Sequence, residues 1–102
     1  MTQEQFTKIT DWQKKVFPAS TPLSKTIHLE REIEEIKEDI ESGNPNIIYE
    51  LSDLCFLIFG ITDQLGFSFE DLKKAIDKKY KINLERKWQK PNKDGVVFHV
   101  KN

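Results

Sequence analysis

Two carboxylate pairs stand at helical spacing in this chain, Glu32 with Glu35 and Glu50 with Asp53. Side chains three residues apart share one face of a helix, so each pair presents its oxygens in one direction. Oxygen donors of this kind suit a hard divalent cation, Mg2+ or alternatively Mn2+, and not zinc. Asp53 sharpens the case, because it is the only charged residue in the apolar run from Leu51 to Ile61. A helix that apolar is expected to be buried, and a buried charge without a partner is costly. An interhelical ion pair with a lysine of the last helix would offset that cost, and so would a cation shared with Glu32 and Glu35. A Glu-x-x-Glu by itself is common on solvated helices, so the weight lies on the two pairs together. A di-iron site would ask for Glu-x-x-His pairs. His28 and His99 are the only histidines, and neither stands in that spacing.

A third group lies further along the chain. Leu72 and Ile76 begin an inward helical stripe whose continuation falls on Lys79, Asn83 and Arg86. Long basic side chains can snorkel out of such positions. Asn83 cannot, and it needs a hydrogen-bonding partner there. A bound polyphosphate would serve all three residues.

The charge distribution agrees with that pairing of groups. Residues 30–41 hold seven acidic side chains against Arg31 and Lys37, and residues 73–93 hold nine basic ones against Asp77 and Glu85. Most of these charges belong to solvated helix faces, while an acidic cluster beside a basic one also suits a metal–phosphate ligand. A nucleic-acid polymer is not the expected partner, because the basic segment lacks interleaved aromatic residues and the net charge is -1. The single Cys55 rules out a disulfide framework and a cysteine metal site. No charged-then-apolar leader opens the chain, and the longest apolar stretch is too short and too acidic to span a bilayer. A cytoplasmic protein that does not engage a membrane is expected.

Four helices must position these groups. The first is expected over about Gln3–Val16, with Phe6, Ile9, Gln13 and Val16 on one stripe, Trp12 beside it and Pro18 ending it. Thr21 caps the second with Pro22 at its first position, and Gly43 follows its last turn. Leu29, Ile33, Ile36 and Ile40 form its apolar seam, flanked by Glu32, Glu35, His28 and Asp39. Asn44 and Pro45 repeat the cap-plus-proline start for the third helix, which Gly66 closes. Ser68 and Asp71 form a capping box for the fourth, which is expected to run to about Trp88. Pro91 stops it, Asp94–Gly95 turns, and Val96–Val100 makes a short extended tail. Short connections favour antiparallel neighbours. The expected fold is therefore all-α, an antiparallel four-helix bundle with a short extended C-terminal tail, in one domain of residues 1–102.

In order and spacing, His28-Leu29-x-x-Glu32-x-x-Glu35, Glu50-Leu51-x-Asp53 and Lys79-x-x-x-Asn83-x-x-Arg86-x-Trp88 resemble the MazG-like all-α nucleotide pyrophosphohydrolases. Within them the chain is most similar to the dATP/dGTP pyrophosphohydrolase branch, from Trp12 to the Gly95-Val96-Val97-x-His99 tail. The resemblance implies Mg2+-dependent hydrolysis of a nucleoside triphosphate, a purine deoxynucleotide, between its α and β phosphates. It implies that Glu32, Glu35, Glu50 and Asp53 hold the metal and that Lys79, Asn83 and Arg86 hold the phosphates. It also implies a homodimer or homotetramer. Many relatives carry a Glu where this chain has Arg31, a position directed away from the site. Glu32 is the first candidate for the general base and Glu35 the second. Trp12, Phe17 and His28, near the first interhelical connection, are the candidates to stack on or bond a base, although each would equally serve a core. Two rival readings stay open: a non-catalytic helical interaction module, in which the carboxylates pair with Lys79 and Arg86, and a regulator that binds dNTPs without turnover.

Overall fold

Local signals start and stop each helix in the computed structural model, which describes residues 1–101. Helix α1 (Gln3–Val16) opens on a reciprocal capping box between Thr2 and Gln5, and α2 (Pro22–Ser42) on one between Thr21 and Ser24. Gly43 ends α2 in the left-handed conformation at φ 71°, where a side chain would be strained. Helix α3 covers Ile47–Gln64 and α4 covers Phe69–Glu85. Ser68 and Asp71 exchange the expected bonds at the start of α4, N–H to Oδ2 at 2.9 Å and N–H to Oγ at 3.1 Å.

Two boundaries differ from expectation. Helix α3 starts at Ile47 rather than after an Asn44 cap. Asn44 is engaged with the preceding helix instead. Its N–H donates to the Asp39 carbonyl and its Nδ2 to Asp39 Oδ1, while its own Oδ1 accepts the Asn46 N–H. Helix α4 stops at Glu85, short of Trp88. There the chain reverses through Gly95 (φ 80°). Gln89 N–H donates to the Phe98 carbonyl and Val100 N–H to the Lys87 carbonyl, so Trp88 and His99 form an isolated antiparallel bridge. The described residues are otherwise all-α.

The chain divides into two compact units, residues 1–72 and residues 73–102. In the first, α2 and α3 pack on each other most extensively, and α1 lies against α3. Lys25 near the start of α2 meets Gln64 at the end of α3, and Asp39 near the end of α2 meets Glu50 at the start of α3, so the pair is antiparallel. The apolar centre is an aromatic cluster. Phe6 lies 5.6 Å from both Phe59 and Phe69, ring centre to ring centre. Gln3 Oε1 accepts the Phe69 N–H at 2.9 Å and so tethers the first turn of α4 to α1. No helix among the described residues is long and apolar enough to cross a membrane.

Which faces point inward departs from the sequence pattern. On α1, Phe6, Thr10 and Gln13 are buried while Val16 is exposed. On α2, Ile33 and Ile40 are exposed, and the inward row is Lys25, Leu29, Glu32, Ile36 and Asp39. That row keeps a 4-3-4-3 spacing, as a seam against one partner helix requires. Only Gly60 of α3 is fully buried, and Asp53 is exposed. The expectation of a buried Asp53 fails because α1 and α2 cover only part of the circumference of α3. In the second unit Ile76 and Lys79 of the expected stripe are exposed, while Asn83 and Arg86 are half-buried.

Candidate functional site

The inward row of α2 carries two acids, Glu32 and Asp39, which meet the acids of α3 across the helix pair. Glu50 faces Asp39, with Glu35 and Glu32 also within electrostatic reach. Its carboxyl is pushed up to about 7, first by the hydrogen bond to Asp39, then by burial, then by the negative charges of Asp39, Glu35 and Glu32. The Glu50 Oε2 atom is buried and accepts from no donor. The two facts agree: ionised, this oxygen has nothing to stabilise it. Asp39 is thus a fifth acid at the site, one that sequence reading placed on the flank but did not assign. Glu32 Oε1 lies 3.1 Å from His28 Nε2, one turn earlier.

Within residues 1–72 neither Glu50 nor Asp53 pairs with a lysine or arginine. The negative charges of Asp39, Glu35 and Glu32 all act on Glu50. Among the described residues no group of three or more His, Cys, Asp or Glu side chains is drawn together closely enough to hold a metal ion as it stands. The donor set still fits a hard cation, because every member is a carboxylate and one buried oxygen lacks a partner. Glu35 and Asp53 are exposed, each three residues from Glu32 and Glu50, respectively, on the same helix.

Two of the acids, Glu32 and Asp53, line an aromatic cavity of about 280 Å³ with Trp12, Gln13, Phe17, His28, Phe56 and Leu57. Trp12 and Phe17 meet edge to face with ring centres 5.6 Å apart. A second cavity of about 200 Å³ shares Gln13, Phe17, His28 and Leu57 with the first and adds Ser20, Ser24 and Lys25. The structure therefore brings Trp12, Phe17 and His28 together with Glu32 and Asp53.

Behind these cavities stands a polar network that sequence reading missed. Lys25 is only 6% exposed, and its Nζ donates to Ser20 Oγ at 2.8 Å and Gln64 Oε1 at 2.9 Å. Gln64 Nε2 in turn donates to the Ser20 carbonyl, and Gln13 Nε2 to the Phe56 carbonyl, both at 2.8 Å. Burial pushes the Lys25 ammonium below its usual range, against a smaller upward pull from Asp63. The lysine fits because residue 60 is glycine: a Cβ there would lie 2.5 Å from Lys25 Cε. One signal was present in the sequence, a lone Gly60 inside an apolar helix, which marks a close approach.

Lys79, Asn83 and Arg86 belong to the second unit. Arg86 Nη1 donates to Asn83 Oδ1 at 3.3 Å, and Trp88 Nε1 to the Asn83 carbonyl at 3.2 Å. Asn83 and Arg86 are half-buried and Lys79 is exposed. Arg86, Lys87, His99 and Lys101 line an open cavity of about 900 Å³ with Ile82, Glu85 and Val100.

Residues 5–102 match the family model of the dATP/dGTP pyrophosphohydrolases. The fold is similar to that of a solved cyanophage S-2L MazG-like pyrophosphohydrolase bound to dGDP and three catalytic Mn2+ ions per active site. The TM-score is 0.76 at 24% identity, over 99% of either chain. No curated protein sequence matches the chain.

Proposed function

The chain belongs to the dATP/dGTP pyrophosphohydrolase family, and on that premise we propose that it hydrolyses purine deoxynucleoside triphosphates to the monophosphate and pyrophosphate. One observation carries the reading: Glu32 and Asp53 line the same cavity as Trp12, Phe17 and His28. A group that holds a divalent cation thus adjoins a wall that takes a flat aromatic base. Residues 1–102 act as one domain of the family, in the cytoplasm and as a homodimer or homotetramer.

Glu32, Glu35, Glu50 and Asp53 hold Mg2+, with Mn2+ as a substitute, and the bound cation neutralises phosphate charge and lowers the pKa of water. Glu32 takes the proton of the attacking water, with Glu35 as the second candidate. His28, 3.1 Å from Glu32 Oε1, orients that carboxylate. Trp12, Phe17 and His28 hold the base. Lys79, Asn83 and Arg86 bind the phosphates, and the two cations stabilise charge developing on the leaving pyrophosphate. The Arg86–Asn83 hydrogen bond supports this role by fixing the guanidinium on its own helix end.

A panel of the eight common NTPs and dNTPs, assayed for pyrophosphate release with Mg2+ and with Mn2+, tests the proposal. Release from dATP or dGTP is expected. No release from any of the eight would overturn it, and binding without release would favour the regulator instead.

A further inference from the structure

Two buried polar groups in the first unit have unused hydrogen-bonding capacity, and they are of opposite kind. Gln13 is 7% exposed and Lys25 6%. Gln13 Nε2 donates to the Phe56 carbonyl. That carbonyl can only accept, so the amide is held with Nε2 toward it and Oε1 turned away. Oε1 is buried and receives no hydrogen bond. The Lys25 ammonium has three N–H groups, and two of them are used, on Ser20 Oγ and Gln64 Oε1. Gln64 is fixed in its turn, because its Nε2 donates to the Ser20 carbonyl. One ammonium N–H is thus left without a protein acceptor. A Cβ on residue 60 would lie 2.5 Å from Lys25 Cε and 2.7 Å from Gln13 Oε1, so the two side chains are neighbours. A free donor stands beside a free acceptor. Buried groups left in this way are costly unless something else binds them.

Both residues line the cavity of about 200 Å³ that shares Gln13, Phe17, His28 and Leu57 with the cavity assigned to the base. We propose that Lys25 and Gln13 read the base and select guanine over adenine. The proposal rests on the base lying in these cavities, as inferred above. Guanine presents an acceptor, O6, next to a donor, N1–H. Lys25 Nζ donates to O6, and N1–H donates to Gln13 Oε1. Adenine presents the reverse, an amino donor at position 6 next to an acceptor at N1. It sets its amino group against the ammonium and a lone pair against the Gln13 oxygen, so both protein groups stay unpaired. Stacking on Trp12 does not make this choice, since every base has a π-face. Burial works against the charge of Lys25, and O6 as a third acceptor favours the charged form. Ser20, Gln64 and the Phe56 carbonyl hold the two reading groups in place before the base arrives.

Four nucleotides compared on the native protein test this. Pyrophosphate release is expected to give a kcat/KM for dGTP roughly 10-fold or more above that for dATP. The triphosphate of deoxyinosine keeps O6 and N1–H but lacks the 2-amino group, and it is expected to follow dGTP. The triphosphate of 2-aminopurine deoxyriboside keeps the 2-amino group but lacks O6 and N1–H, and it is expected to follow dATP. Lys25→Met, which keeps the length of the side chain and removes the donor, is expected to bring the dGTP to dATP ratio close to one. A purely structural role for Lys25 lowers stability and leaves that ratio where it was. Equal use of dGTP and dATP would overturn the proposal. So would a deoxyinosine nucleotide that follows dATP, or a folded Lys25→Met protein with the native ratio. Should Lys25→Met not fold, the four native comparisons decide. Should none of the nucleotides be hydrolysed, the proposed activity fails and binding alone decides the base reading. In that case dGTP and not dATP is expected to raise the melting temperature, and an equal rise with both, or none with dGTP, overturns it.

Discussion

The Glu50 carboxyl faces the Asp39 carboxyl across the antiparallel α2–α3 pair, and that contact, with burial, favours its protonated form. This raises Glu50 from its ordinary 4.5 to about 7 in the metal-free protein. The folded state therefore binds a proton that the unfolded chain has released between those values. Stability from this group is fully present below pH 4.5 and is lost as pH rises through 7. Thermal unfolding of metal-free protein is expected to show a falling midpoint over that window, and Glu50→Gln to flatten the fall. An unchanged pH dependence in Glu50→Gln would remove Glu50 as its source.

The same proton competes with a cation. Metal binding at pH 6 is expected to release a proton from Glu50, and at pH 8.5 to release none from it. Calorimetric titration of Mn2+ in buffers of different ionisation heat measures this directly. Equal proton release at the two pH values would refute the assignment.

Asp53 is exposed at the cavity mouth, so its side chain can change without disturbing the core. Asp53→Asn is expected to lower kcat by roughly 10²–10³-fold or more with the melting temperature and helical content unchanged. Activity near that of the native protein in this variant would take Asp53 out of the site.

Gly60 allows Lys25 to lie against α3, and an added methyl would meet Lys25 Cε at 2.5 Å and Gln13 Oε1 at 2.7 Å. Both neighbours are pinned by hydrogen bonds and cannot swing freely aside. Gly60→Ala is expected to cost about 1–3 kcal/mol, despite the better helix propensity of alanine. In a double-mutant cycle with Lys25→Ala the two losses should be less than additive. Denaturant unfolding of the four proteins gives the answer, and strict additivity would mean that Lys25 is not what Gly60 accommodates.

Trp12 offers an exposed ring face at the cavity beside Phe17. Stacking of a base on such a ring contributes about 1–3 kcal/mol, so Trp12→Ala is expected to raise KM for dATP and dGTP roughly 10-fold or more. The expected change in kcat is smaller. Unaltered KM values for both nucleotides would place the base elsewhere.

Much of this protein is decided by groups within four residues of one another. Thr21, Pro22 and Gly43 bound α2, and Ser68 with Asp71 opens α4, because a cap needs only the adjacent turn to satisfy its backbone groups. The order and spacing of Glu32, Glu35, Glu50 and Asp53, and with them the family, are likewise local properties of the chain. Only tertiary packing decided which side of each helix turns inward. The apolar pattern of α2 named Leu29, Ile33, Ile36 and Ile40, yet the helix pair buries Lys25 along with Ile36, leaves Ile33 and Ile40 exposed and turns Glu32 and Asp39 toward α3. That choice depends on Gly60 leaving room for a lysine and on Gln64 and Ser20 binding its ammonium, partners up to 39 residues away. Burial is a property of two surfaces in contact, and one helix carries only half of the information that sets it.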